Sequence, residues 1–267
     1  MVKVVILGST GMLGNSVAKV FDNSKLDVKK SYRKEEFSLG KDMFYFDALN
    51  SSLDSIPECD YLINCIGIIK PYMKSNLKNN IYINSIFPHE LSAWCEKNGT
   101  KMIHITTDCV FSGVTGFYTE DSDHDCLDEY GKSKSLGEPK NCMTLRTSII
   151  GEEIHSYSSL ISWVRSQNGN EISGYTNHLW NGMTTIQYGE CCMQIINENL
   201  YERGICHIHS DDVSKFELVS LIADSLNLDI KINPVVVKES CNRTLRTNKK
   251  LNSKLRIKKI KNQLESL

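Results

Sequence analysis

The chain has 267 residues, 40% of them hydrophobic and 24% charged, with 31 Lys+Arg against 32 Asp+Glu. That length can bury a substantial core, as one large domain or two modest ones, and the composition excludes a disordered chain. The near-neutral charge argues against a duplex-binding protein, whose affinity rests on concentrated positive charge, and no apolar run approaches the roughly 18 residues of a membrane span.

Val4-Val5-Ile6-Leu7 is too short for a signal peptide and meets a glycine turn at once. The ten cysteines include no Cys-x-x-Cys pair. In a long chain without an export signal they read as small buried hydrophobes in a reducing cytosol, not as a disulfide scaffold or zinc site.

Taken in order, residues 3–7 form an apolar run of the kind a buried parallel strand shows, and 12–21 carry apolar residues at helical spacing. Strands are expected at 26–32, 43–46, 61–69, 101–106 and 141–149, with helices over 80–97, kinked near Pro88, and from 130 to 137. Alternating strands and helices imply an α/β fold, a Rossmann-type doubly wound parallel sheet with helices on both faces. After residue 150 the pattern loosens: helices at 156–166, 186–197 and 213–226, a strand at 206–209, and a loop-like stretch at 174–185. This predicts a cofactor-binding domain over 1–150, with part of 184–212. A smaller, partly interleaved C-terminal lid for substrate would comprise 151–183 and 213–267.

Gly8-Ser9-Thr10-Gly11-Met12-Leu13-Gly14 follows the first strand and opens the first helix. Glycines there permit a tight turn and close backbone approach, so a dinucleotide pyrophosphate can sit at the helix N-terminus. The alternative is a bare glycine-rich turn. At the end of the second strand stands Lys29-Lys30-Ser31-Tyr32-Arg33-Lys34, with no carboxylate before Glu35. Arg33 there suits the 2′-phosphate of NADPH, with NADH the alternative cofactor, unless the segment is only a solvated basic turn. Asp47, after the third strand, suits the adenine amino group or a helix cap.

Tyr130 and Lys134 are four apart, on one face of a helix. A lysine near the phenol is expected to lower its pKa from about 10 and make it a general acid nearer neutrality. Thr107 ends the fifth strand, at the carboxyl edge where such folds place their chemistry, and suits the orientation of a substrate carbonyl.

Together these residues resemble the extended short-chain dehydrogenases/reductases, and among them the dTDP-4-dehydrorhamnose reductase group. Ile105-Thr106-Thr107-Asp108-Cys109-Val110-Phe111-Ser112-Gly113, with Tyr118 and Glu120, is similar to that group's strand-end stretch. Asn64-Cys65-Ile66-Gly67 matches its cofactor-lining turn, Asn84-Ser85 its following helix, and Arg146-Thr147-Ser148 its sixth strand. The likeness covers about residues 1–150 and thins afterwards, although Arg243 and Leu251 resemble the final substrate-contacting segment. It implies hydride transfer to C4 of a nucleotide-linked 4-keto-6-deoxyhexose, with Tyr130 as proton donor, Lys134 tuning it and Thr107 holding the carbonyl. It also implies a cytoplasmic enzyme of deoxysugar and polysaccharide synthesis that binds neither nucleic acid nor membrane. A homodimer is compatible with it. Asp108, Cys109, His178, Trp180 and Arg243 are the expected substrate contacts, and no metal ligands are assigned.

Cys109 departs from the group's usual tyrosine. Related 3,5-epimerase/4-reductases carry a cysteine there, which moves protons beside the ketone together with a histidine on the opposite ring face. His178, with His155 in reserve, is the candidate partner; the plainer reading is that Cys109 fills space. Trp180 stacks on substrate or packs the lid, and Arg243 and Arg246 suit a diphosphate. The acidic loop Asp121, Asp123, Asp125 and Asp128 reads as solvated more than cation-binding. Two further readings stay open. One is a regulatory subunit that keeps the cofactor fold, as one relative does for methionine adenosyltransferase. The other is a 4-epimerase or 4,6-dehydratase with tightly held NAD.

Overall fold

The computed structural model describes residues 1–38, 40, 42–153 and 159–265. From the N-terminus, β1 (Lys3–Leu7) leads through the glycine turn into α1 (Met12–Asp22), followed by β2 (Asp27–Tyr32), β3 (Met43–Tyr45) and β4 (Tyr61–Asn64). Helices α2 (Leu77–Ile81) and α3 (Phe87–Lys97) precede β5 (Lys101–Thr107), and α4 (Glu129–Leu136) precedes β6 (Met143–Thr147). Then come β7 (Ile149–Ile150), α5 (Leu160–Ser166), β8 (Glu171–Tyr175), β9 (His178–Trp180), β10 (Met183–Thr184) and α6 (Thr185–Asn197). The chain ends with β11 (Gly204–His207), β12 (Val213–Ser214), α7 (Lys215–Ser225), β13 (Lys231–Val235), β14 (Cys241–Asn242), α8 (Leu251–Lys254) and α9 (Ile260–Leu264).

Seven parallel strands form the central sheet, in the order β11-β6-β5-β4-β1-β2-β3. The order reverses between β1 and β4, and the crevice at their carboxyl ends is where a doubly wound sheet takes its ligand. One face is covered by α1 and α6, which bury Val17, Phe21, Tyr188 and Ile195 against Ile6, Ile63 and Leu145. The other holds Leu7, Leu62 and Met102 against Phe87 and Leu91 of α3. A third core, with Ile161, Trp180, Leu218 and Ile222, lies in the C-terminal region.

The expected helix over 80–97 is interrupted, and the cause is local. Residues 82–86 form a π turn between α2 and α3. Pro88 has no N–H, so the Asn84 carbonyl loses the donor an α-helix would supply four residues on. That carbonyl faces Gly137 at the end of α4, where a Cβ would come within 1.8 Å of it. Asn84 also binds across: its amide accepts from Ile68 N–H (2.8 Å) and donates to the Ile68 carbonyl (2.9 Å) and to Ser133 Oγ (3.1 Å). The break in the helix thus joins the loop after β4 to α4.

The stretch at 174–185 is not loop-like. It contributes β9 to a three-stranded sheet in the order β12-β9-β14, and β10 pairs with β7. Residue 213 begins a short strand, and α7 starts two residues later behind a capping box of Ser214 and Glu217. Strands of two or three residues carry too few side chains to show a period, and the partners of β9 lie more than thirty residues away.

Candidate active site

The glycine turn is sterically fixed. Gly8 has φ +76°, in the left-handed region that glycine tolerates, and a Cβ on Gly14 would lie 2.1 Å from the Gly8 carbonyl oxygen. The loop is pinned from β2: Gly8 N–H donates to Ser31 Oγ (2.8 Å), and Ser9 Oγ donates to the Ser31 carbonyl (2.7 Å). Gly11 caps α1 without a side-chain acceptor, and the first turn holds no acidic residue. Its unpaired N–H groups and the helix dipole therefore favour an anion.

Of the cavities beside this turn, two share Gly11 and Cys65, Ile66, Gly67 and Ile68 as walls. The first, of about 190 Å³, also takes in Gly8, Thr10, Arg33 and Asp47. Arg33 is exposed and makes no ion pair among the described residues. Asp47 is already engaged: it accepts from Leu49 N–H (3.0 Å) and Asn50 Nδ2 (2.8 Å) in a turn. The second cavity, of about 400 Å³, takes in Met12, Leu13, Thr107, Cys109, Tyr130 and Lys134. Gly14 lines neither cavity and acts by clearance beneath Gly8.

Asp128 starts α4 by accepting from Gly131 N–H (3.0 Å), which sets Tyr130 and Lys134 on the helix face toward β5. Lys134 Nζ is buried and donates to the Ile105 carbonyl (3.1 Å). Burial lowers its pKa to about 8, with Glu138 pulling it back up. The Tyr130 phenol touches the Thr107 hydroxyl, and its pKa lies above the ordinary value, chiefly through burial. This corrects the expectation that the lysine lowers it: desolvation outweighs an ammonium already committed to a backbone carbonyl. The phenol therefore stays protonated across the neutral range.

Cys109 lines the same cavity, and its N–H donates to Thr107 Oγ1 (3.1 Å). Burial and then the Asp108 carboxylate push its thiol up to about 12, against the pull of Arg243. The cations do not deliver the activated thiolate that proton exchange beside a ketone needs. His178 is not brought to this cavity. Its Nε2 pairs with the Glu239 carbonyl (2.9 Å) and its ring packs on Tyr175, so the arrangement lends no support to an opposite-face role. His155 lies outside the described residues. Asp108 and Trp180 are buried, and Arg243 Nε donates to the Phe111 carbonyl (2.9 Å). Arg246 is paired with Asp212 and lies over the Phe117 ring.

The acidic loop is used for architecture. Asp125 accepts from Ser112 N–H and Oγ, Asp128 caps α4 and pairs with Lys70 (3.0 Å), and Asp121 accepts from Asn248. Glu120 holds the C-terminal tail, accepting from Thr247 Oγ1 (2.6 Å) and Asn248 N–H (3.0 Å). Sequence reasoning passed over Ser31, Lys70, Glu138 and Lys215. For Lys215 a signal existed: a cation in the first turn of a helix opposes the dipole.

Residues 2–266 match the family model described as the RmlD substrate binding domain. The chain belongs to this family. A dTDP-4-dehydrorhamnose reductase from Bacillus anthracis, solved in complex with NADP, superposes with a TM-score of 0.79 over 99% of this chain and 98% of its own, at 19% identity. A probable low-salt glycan biosynthesis reductase of Haloferax volcanii is 31% identical over 140 residues, which are 50% of this chain and 46% of that relative. The chain thus aligns with about half of that protein's length. The methionine adenosyltransferase 2 subunit beta of Danio rerio is 25% identical over 85% of this chain and 74% of its own. The extended short-chain dehydrogenase/reductase fold expected from the sequence is the one found. No helix among the described residues is long and apolar enough to cross a membrane.

Proposed function

We propose that the protein reduces the C4 ketone of a nucleotide-linked 4-keto-6-deoxyhexose, dTDP-4-dehydrorhamnose or a close analogue, using NADPH. The convergence of Thr107, Tyr130 and Lys134 on a cavity continuous with the glycine turn carries this reading. The clearance at Gly14, the free helix N-terminus and the recess beside Arg33 fit a dinucleotide, which when bound supplies the hydride. Thr107 orients the carbonyl oxygen. Tyr130, held protonated, donates the proton to that oxygen as it becomes an alcohol. Lys134, the Ile105 carbonyl and Glu138 set the field behind the phenol. In this reading residues 1–150 with part of 184–212 hold the cofactor, the remainder covers the substrate, and the product serves cytoplasmic deoxysugar and polysaccharide synthesis.

The test is single-turnover oxidation of NADPH by dTDP-, UDP- and GDP-linked 4-keto-6-deoxyhexoses in deuterated water, with NMR of the products. Consumption of one NADPH per sugar, without deuterium at C3 or C5, is expected. Deuterium at those carbons makes the protein an epimerase/reductase despite the protonated Cys109. The match to the methionine adenosyltransferase beta subunit supports a second reading, a regulatory subunit that keeps the fold. NADPH binding without turnover of any of these sugars would favour it. Arg33→Ala is expected to raise KM for NADPH about tenfold or more and to leave that for NADH nearly unchanged, because only NADPH presents a 2′-phosphate. An equal change for both cofactors removes Arg33 from cofactor choice.

A further inference from the structure

His104 stands in the middle of β5, two residues from Met102 and so on the sheet face that α3 covers. It is fully buried, and so is Asn64, opposite it in β4. A buried imidazole costs free energy unless both of its nitrogens are paired. Here both are, and the partners settle where the proton sits. Nε2 lies 3.1 Å from the Gly137 carbonyl oxygen, which only accepts, so Nε2 carries the hydrogen. Nδ1 is then bare and accepts from Asn64 Nδ2 (3.1 Å), while Asn64 Oδ1 accepts from Ile66 N–H (3.1 Å). Burial and then the Lys134 ammonium hold the ring neutral, as this arrangement requires.

The two ends of this chain of bonds both belong to the site. Ile66 is a wall of both cavities beside the glycine turn. Gly137 N–H donates to the Lys134 carbonyl (3.1 Å), which closes the last turn of α4 on the lysine. Ile68, in the same loop as Ile66, is tied to Ser133 through Asn84. Two buried links therefore run from one loop to α4, and they reach it on either side of Lys134.

We propose that His104 is a positioning residue: acting through Asn64 and Gly137, it fixes the cofactor wall at Ile66 relative to Lys134, and with it the alignment of the hydride donor and Tyr130. This rests on the reductase reading. A neutral imidazole suits the task because it is rigid and offers a donor at one end and an acceptor at the other. Reacting groups tolerate little play: a displacement of about 1 Å costs roughly a hundredfold in rate. The loss of His104 falls on the rate at saturation more than on affinity, because the glycine turn is pinned separately, from Ser31.

The experiment compares wild type with His104→Asn and His104→Gln. Asparagine can place an acceptor where Nδ1 stands but is too short for Gly137; glutamine can place a donor where Nε2 stands but gives up the acceptor for Asn64. Each variant therefore breaks one end of the link. Four quantities are read: the single-turnover rate at saturating NADPH and keto sugar, NADPH affinity, the emission of bound NADPH, and the ¹⁵N NMR signature of the His104 ring in wild type. Both variants should lower the rate per folded molecule about tenfold or more, change NADPH affinity by less than about threefold, and shift the emission of the bound nicotinamide. In wild type the ring should show the Nε2–H tautomer through the neutral range, and that resonance should move when NADPH binds. A wild-type rate in either variant, a loss confined to NADPH affinity, or a ring resonance indifferent to NADPH overturns the proposal, whatever happens to Tm. If neither variant folds, the NADPH-dependent shift in wild type decides. Emission and ring shifts as expected, without turnover of any keto sugar, keep His104 in its role and remove the reductase. Turnover by wild type and equally by both variants does the reverse.

Discussion

Tyr130→Phe is expected to lower the single-turnover rate of ketone reduction by about 10²–10⁴-fold and to leave NADPH affinity nearly unchanged. The ring, its packing and the helix stay; only the proton donor goes. The pH dependence separates Tyr130 from Lys134. The phenol, pushed above its ordinary range by burial, remains protonated through neutrality and beyond. Lys134, brought down to about 8, loses its charge as pH rises through that value. In the free enzyme kcat/KM should therefore fall above about pH 8, and the fall should move upward in Lys134→Arg. Stability has the opposite sign. Between about 8 and 10.5 the unfolded chain binds more protons than the folded one, so wild-type stability rises with pH across that window. Lys134→Met should abolish the rise and be more stable at pH 7. If kcat/KM in Lys134→Arg falls at the same pH as in wild type, another group controls it.

The sheet was legible because its strands are buried on both faces. Val4 to Leu7 and Leu62 to Ile63 are fully enclosed, so they read as unbroken apolar runs. Gly8, Thr107 and Tyr130 were legible because each stands at a strand end or a helix start, where spacing along the chain fixes position in space. The C-terminal side was less so. His178 looked like a site residue from its surroundings in sequence, yet the pairing of β9 with β14, more than sixty residues on, turns it to the Glu239 carbonyl. Tyr130 and Lys134 line one cavity, as their spacing suggested, but the electrostatics of the phenol were read with the wrong sign. Spacing places two side chains on one face and says nothing of how much water each has lost. Glu138 was invisible for a related reason: its importance lies in a partner on another element.

That partner gives the largest stability effect expected. Arg146 is fully buried and grips Glu138 in a fork, Nε to Oε1 at 3.0 Å and Nη2 to Oε2 at 2.5 Å. Thr106 Oγ1 adds a third bond to the carboxylate (2.8 Å), and the guanidinium lies over the Phe111 ring. A guanidinium only donates, so His207 and His124, at 2.7 and 2.8 Å from it, present unprotonated Nε2 atoms. Their Nδ1–H groups donate to the Arg246 carbonyl and to Ser135 Oγ. The network links the sheet edge, Glu138 two residues beyond α4 and the tail beyond β14. Glu138→Gln strands a buried cation and should cost about 3–5 kcal/mol in denaturant unfolding. A double change of Glu138 and Arg146 to leucine should cost less than the sum of the single ones. The pH signature is separate. Burial and the neighbouring guanidinium bring His207 down to about 4, so between that value and its ordinary 6.5 the unfolded chain binds the extra proton. Stability is complete above about 6.5 and is lost as pH falls toward 4. His207→Gln keeps one donor and one acceptor without a titrating proton, and its unfolding free energy should lose much of that slope. An identical slope in His207→Gln would assign the acid sensitivity to other groups.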